Sequence, residues 1–217
     1  MKRVRVAVID SGLDADFPGR VVARKVFVPG ADPLPHGGVV ARVIARHGAA
    51  VDFLDAQVFG DRLGTSVTAV THAIRWAVEN KAAVINLSLG LQADRPALAQ
   101  AVAAAVAAGV ILVAPVPARG GPVYPAAYPD VVRVTGDARC EPDDFTWLGE
   151  PGVDLAACAR PPEADQGGPA MGGASLAAAA VSGALAAALT QGVLPTRAAL
   201  LSHLQARCRF AGRERKS

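Results

Sequence analysis

The sequence predicts an α/β fold of three layers, α/β/α, with a mostly parallel central sheet. Short β-branched runs such as Val4–Ile9, Val51–Val58 and Val110–Ala114 lack polar alternation, as strands buried on both faces do. They alternate with Ala-rich stretches of helical period, which implies right-handed βαβ crossovers. The 217 residues are 52% hydrophobic, enough for one sizeable core and too few to argue for two.

Each element follows from its residues. Val4–Ile9 is a strand ending at Asp10, and Arg20–Phe27 a second. His36–Arg46 is helical, with Val39, Val40, Val43 and Ile44 on one side. Val51–Val58 is a strand; Thr65–Glu79 is a helix, with Val67, Val70, Ile74 and Val78 at helical spacing. Ala83–Ser88 is a strand. Pro96–Ala108 is a helix with proline in its first turn and Gly109 just past its end. Val110–Ala114, Val131–Thr135 and Val153–Ala157 are strands, and Ser175–Leu189 and Thr196–Ala206 the last helices. Ala138–Gly149 and Arg160–Gly168, rich in Pro, Gly and acidic residues, read as flexible loops.

Charge excludes several function classes. Charged residues make up 19% of the chain and the formal net charge is +3. The excess gathers at Arg207, Arg209, Arg213, Arg215 and Lys216, and 207–217 reads as a solvated basic tail behind a domain spanning 1–206. No nucleic-acid motif accompanies it, so no nucleic-acid partner is expected. Three widely spaced cysteines form neither a disulfide framework nor a zinc site and point to a reducing compartment. The N-terminal apolar run is short and broken by Arg5, so it reads as a first strand rather than a signal peptide. The expectation is a cytoplasmic protein with no membrane partner. No metal is expected: Asp143-Asp144 reads as a solvated loop. No cofactor is expected either, because Gly167–Gly173 lacks both a P-loop lysine and a dinucleotide fingerprint.

Three residues carry the chemistry. Active residues of open parallel sheets collect outside the carboxyl ends of strands. Asp10 follows the first strand, His36 opens a helix, and Ser175 opens another after a Gly-rich stretch. Taken singly they are a turn residue, a structural histidine and a helix cap. Together they supply a nucleophile, a base and an orienting carboxylate, and the helix start at Ser175 adds N–H groups for an oxyanion.

Val6-Ala7-Val8-Ile9-Asp10-Ser11-Gly12 resembles the aspartate motif of the subtilisin family. His36-Gly37-Gly38-Val39-Val40-Ala41 resembles its His-Gly-Thr-His-Val-Ala motif, and Gly173-Ala174-Ser175-Leu176-Ala177-Ala178 its Gly-Thr-Ser-Met-Ala motif. The order Asp, His, Ser is the family's, at intervals of 26 and 139 residues. Trp76-Ala77, Val84–Gly90, Tyr124–Pro129 and Val131–Thr135 extend the likeness to about Lys2–Leu201. The resemblance implies a subtilisin-like three-layer α/β/α fold and a serine peptidase with Asp10, His36 and Ser175 as catalytic set. It further implies that Leu63, Gly64, Ser88, Leu89, Gly90, Pro115, Val116 and Pro117 bind the substrate polypeptide. His47, His72 and His203 default to packing or surface roles, and Asn86 to satisfying backbone groups.

The departures narrow this. The family's Ala-Ala-Gly-Asn stretch falls on Ala114–Gly120, so Ala118 replaces the oxyanion-hole amide, with Arg119 beside it. Ala174 replaces a threonine, Val39 the second histidine and Ala179 a proline. Three outcomes follow: an oxyanion hole resting on Ser175 alone, a guanidinium donor from Arg119, or an impaired peptide-binding subunit. Intact reacting residues favour a slow, dedicated peptidase. The bulky Pro115-Val116-Pro117 predicts a narrowed pocket for small P1 residues. The first strand begins at once, so neither a pro-segment nor a broad specificity is expected. Size and the missing amide resemble leader-cleaving maturation proteases, among them that of quinohemoprotein amine dehydrogenase, which processes the small subunit.

Overall fold

The computed structural model describes residues 3–30, 35–48, 50–60, 64–162 and 172–214. The strands are β1 (Val4–Asp10), β2 (Val21–Val26), β3 (Val51–Gln57), β4 (Val84–Leu87), β5 (Ile111–Pro115), β6 (Val132–Gly136), β7 (Phe145–Glu150), β8 (Val153–Ala157) and β9 (Phe210–Ala211). The helices are α1 (Pro35–His47), α2 (Val67–Glu79), α3 (Pro96–Ala107), α4 (Ala174–Thr190) and α5 (Arg197–Gln205). The sheet order is β2-β3-β1-β4-β5-β6-β8-β7-β9, and every neighbour pairs in parallel except β7 with β8.

The layers follow from burial on both faces. Val6 and Val8 of β1 join Val39, Ile44, Leu176 and Val181 under α1 and α4. Ala7 and Ile9, pointing the other way, join Val70, Ile74, Leu98 and Val102 under α2 and α3. Each buried Val, Ile or Leu among them contributes about 1.5–3 kcal/mol. Helix ends are satisfied locally: Ser66 and Thr196 accept from Ala69 and Ala199 N–H groups as N-caps.

Two expectations need correction. The loop expected at Ala138–Gly149 contains β7, whose Phe145, Thr146 and Trp147 pair with Ala157, Ala156 and Leu155. The aromatic and β-branched residues prevail over their Gly and acidic flanks. Within the stretch after 206, β9 pairs with β7 and the Arg139 and Arg209 guanidinia lie over the Phe210 ring. Asp143 and Asp144 are not merely solvated: they pair with Arg46 and Arg209 at 2.9 and 3.0 Å.

Strand order positions the site. After β1 the chain builds β2 and β3 on one side, then crosses to β4 on the other. The carboxyl end of β1 is therefore the switch point, where a crevice opens between diverging crossovers. Asp10 is the last residue of that strand.

Candidate active site

Asp10 is 2% exposed and accepts the Ser11 N–H at 2.6 Å. His36, the second residue of α1, is half-buried above it. Its Nδ1 lies 2.9 Å from both Asp10 carboxylate oxygens, and its Nε2 lies 3.1 Å from Ser175 Oγ. The structure thus joins the three predicted residues in one chain of hydrogen bonds. With the proton on Nδ1, the imidazole donates to Asp10 and presents Nε2 as acceptor to the Ser175 hydroxyl. Burial opposes the imidazolium, but the hydrogen bond and charge of Asp10 outweigh it, so the His36 pKa is raised above 6.5.

Local sequence explains the placement. Gly37 lets α1 settle onto the turn after Asp10; a Cβ there would stand 2.2 Å from the Gly12 carbonyl oxygen. The Gly37 N–H donates to Ser11 Oγ at 3.1 Å, tying the histidine helix to the aspartate turn. Gly37→Ala is expected to cost about 1–3 kcal/mol through overpacking and to slow labelling of Ser175 by a fluorophosphonate. Thermal unfolding and the labelling rate check both. Gly173, at φ 140°, precedes α4, a backbone state closed to other residues, and sets Ser175 in the first turn. The Ser175 N–H therefore points out of the helix start, where the dipole favours negative charge.

The oxyanion side is thinner. Ala118 lines a cavity of about 490 Å³ together with Pro117, Gly173 and Ala174, beside the nucleophile. Thr135 also lines it; its hydroxyl is buried and finds no hydrogen-bond partner. Arg119 is exposed and lines an adjoining cavity, with Pro122, Val123 and Arg213, that shares Pro117 and Ala118 with the first.

The predicted substrate-lining residues fall on two neighbouring strand ends. Ser88, Leu89 and Gly90 continue β4, while Pro115 ends β5 and Val116 and Pro117 follow it. Gly64 is exposed before α2, and Leu63 lies outside the described residues. Sequence reasoning missed Val123. It packs against Gly90, where an added Cβ would meet the Val123 Cβ at 3.2 Å, and the adjacent Leu91 and Tyr124 exchange backbone hydrogen bonds of 2.7 and 2.8 Å. The clue was a valine just before Tyr124-Pro125. Asn86 serves side chains rather than backbone: it donates to Ser88 Oγ and accepts from Ser182 Oγ, both at 2.9 Å. His47 is a packing residue, its ring 5.6 Å from Phe145.

Comparison with known proteins agrees with this geometry. No protein-family model matches the chain. Alkaline elastase YaB of Bacillus sp. (strain YaB) is 32% identical over 170 residues, covering 71% of this chain and 45% of that protein. Subtilisin NAT of Bacillus subtilis subsp. natto is 29% identical over 237 residues, covering 96% of this chain. The chain spans 61% of subtilisin NAT and less of the elastase. Among solved structures, a cold-adapted subtilisin-like serine proteinase aligns with TM-score 0.73 at 26% identity, covering 94% of this chain and 81% of that one. The prenylagaramide maturation protease PagA (TM-score 0.67, 24% identity, 89% and 79% covered) and a lanthipeptide protease (TM-score 0.69, 22%, 92% and 78%) share the fold. The chain shares its fold with a solved subtilisin-like serine proteinase and is similar in sequence to subtilisins, and its Asp10–His36–Ser175 arrangement is consistent with that family.

Proposed function

We propose that the chain is a serine endopeptidase of narrow specificity that cleaves a leader from a precursor polypeptide. The observation that carries the peptidase reading is the unbroken path from Asp10 through His36 to Ser175 Oγ. Ser175 Oγ attacks the scissile carbonyl carbon and its proton passes to His36 Nε2. The C–N bond breaks, and the imidazolium returns that proton to the departing amine. Water then attacks the acyl-enzyme, giving one proton to His36 and releasing the acid; the proton returns to Ser175. Asp10 holds the tautomer and stabilises the imidazolium. The Ser175 N–H receives the oxyanion.

Narrow specificity rests on Val123, which meets Gly90, and on the bulky Pro115 and Pro117 at the end of β5, together read as favouring a small P1 residue. Gly64, Ser88–Gly90 and Val116 are the edges expected to pair with an extended substrate backbone, with Leu63 assigned from sequence alone. Leader removal is supported by the fold shared with two proteases whose names describe maturation or lanthipeptide processing. A precursor such as the small subunit of quinohemoprotein amine dehydrogenase is the partner proposed from sequence. Labelling of Ser175 by a fluorophosphonate, with cleavage of a peptide library restricted to small P1 residues, tests the reading; no labelling and no cleavage overturn it.

A second reading, an impaired peptide-binding subunit, is favoured by one observation, the missing donor at Ala118. Product in a single-turnover assay removes it. Activity needs neutral His36, whose pKa Asp10 raises. The acid limb of kcat/KM is therefore expected above pH 6.5, with activity lost as pH falls through it. Asp10→Asn is expected to move that limb down; a limb that stays in place counts against the assignment.

A further inference from the structure

Asp55 stands in β3, a strand buried along its whole length. Its side chain is 6% exposed, and its register partner on β1 is Val8, two residues before Asp10 on the same face. One carboxylate oxygen, Oδ2, accepts the Leu13 N–H at 3.2 Å and meets the Arg24 guanidinium at 3.2 Å. The other, Oδ1, is buried without a hydrogen-bond partner. A buried charge of this kind is costly unless it serves something.

Arg24 completes the arrangement. Besides Asp55 it donates to the carbonyl oxygens of Leu13 and Asp14, at 2.9 and 3.1 Å. Asp14 in turn accepts from Arg42 of α1 at 3.0 Å, and its carboxylate occupies the space a Cβ on Gly38 would need. The turn from Asp10 to Asp14 is thus held from below by β2 and β3 and from above by α1, the helix that carries His36.

We propose that Asp55, with Arg24, is a positioning residue for the catalytic set: it fixes the Asp10–Asp14 turn and places a second carboxylate behind Asp10. The proposal rests on the peptidase reading only for its rate consequences. The charged groups around this corner are Asp10 on β1, Arg24 on β2, Asp14 in the turn, and His36 and Arg42 on α1. Burial pushes the Asp55 carboxyl up to about 6, against the Leu13 N–H and Arg24, and the Asp10 charge adds to the rise. Asp55 therefore gains its charge as pH rises through about 6. Once ionised, it deepens the negative potential that favours the imidazolium.

The test compares wild type, Asp55→Asn and Arg24→Lys. Asparagine keeps an oxygen for the Leu13 N–H and removes only the charge. Asp55→Asn is expected to lower the His36 pKa in an imidazole NMR titration, and to make the acid limb of kcat/KM shallower and shift it to lower pH. It should lower kcat about tenfold with KM unchanged. Arg24→Lys, which keeps the charge but not the fork, should lower kcat and leave the limb in place. An unchanged His36 titration in Asp55→Asn overturns the proposal, as does a limb unchanged in position and slope. If Asp55→Asn does not fold, Arg24→Met carries the same titration: without its cation, Asp55 ionises later and the His36 pKa falls. The NMR titration needs no turnover. Absence of fluorophosphonate labelling in wild type would therefore defeat the peptidase reading, while the titration still judges Asp55.

Discussion

Ser175→Ala is expected to lower kcat by about 10⁶-fold, a scale established on a subtilisin, and to leave about 10³–10⁴-fold over the uncatalysed rate. The loss is this large because the three side chains act as one unit, with His36 Nε2 3.1 Å from Ser175 Oγ. The substitution removes a single oxygen at the start of α4, behind which Leu176 to Ala180 stay packed in the core. Unfolding temperature and substrate affinity should therefore hold while turnover vanishes. Stopped turnover with an intact melting profile establishes the nucleophile. Wild-type rates in the variant would show that the cleavage belongs to some other group.

Ala118→Asn is expected to act in the opposite direction, raising kcat by about 100-fold with little change in KM. A donor that meets the oxyanion only in the transition state is worth about 10²–10³ in kcat, again on the scale of a subtilisin. The space for the amide exists: Ala118 is exposed and borders the cavity shared with Gly173 and Ala174. A rise in kcat shows that the wild-type oxyanion side lacks this donor. An unchanged kcat means the hole already has a second donor. Thr135, whose unpartnered hydroxyl lines the same cavity, then becomes the residue to replace with valine.

The elements buried on both faces were legible because their residue types admit little else. Val4–Ile9 reads as a strand through uninterrupted β-branched residues, and α2 through its helical spacing. β7 was not legible: three strand-forming residues between Asp144 and Gly149 are outweighed locally, and only pairing with β8 decides them. β9 is two residues long and exists only because β7 offers an edge. In the site, Asp10, His36 and Ser175 stood out by type and order. Asp55 did not, because Asp52, Asp55 and Gln57 look like the polar side of a half-exposed strand until the whole of β3 is seen to be buried. Val123 was hidden for a related reason, since its approach to Gly90 joins segments far apart in sequence.

Helix α4 has a consequence for how the molecule comes into being. It packs against α1 and beneath β1, β4, β5, β6 and β8, and it brings the nucleophile to a histidine 139 residues earlier in the chain. A chain emerging from the ribosome has its base and acid long before its nucleophile. Parallel pairings of such separation form late and slowly. The newborn polypeptide therefore stays chemically inert until its last large helix docks, and becoming folded and becoming armed are the same event.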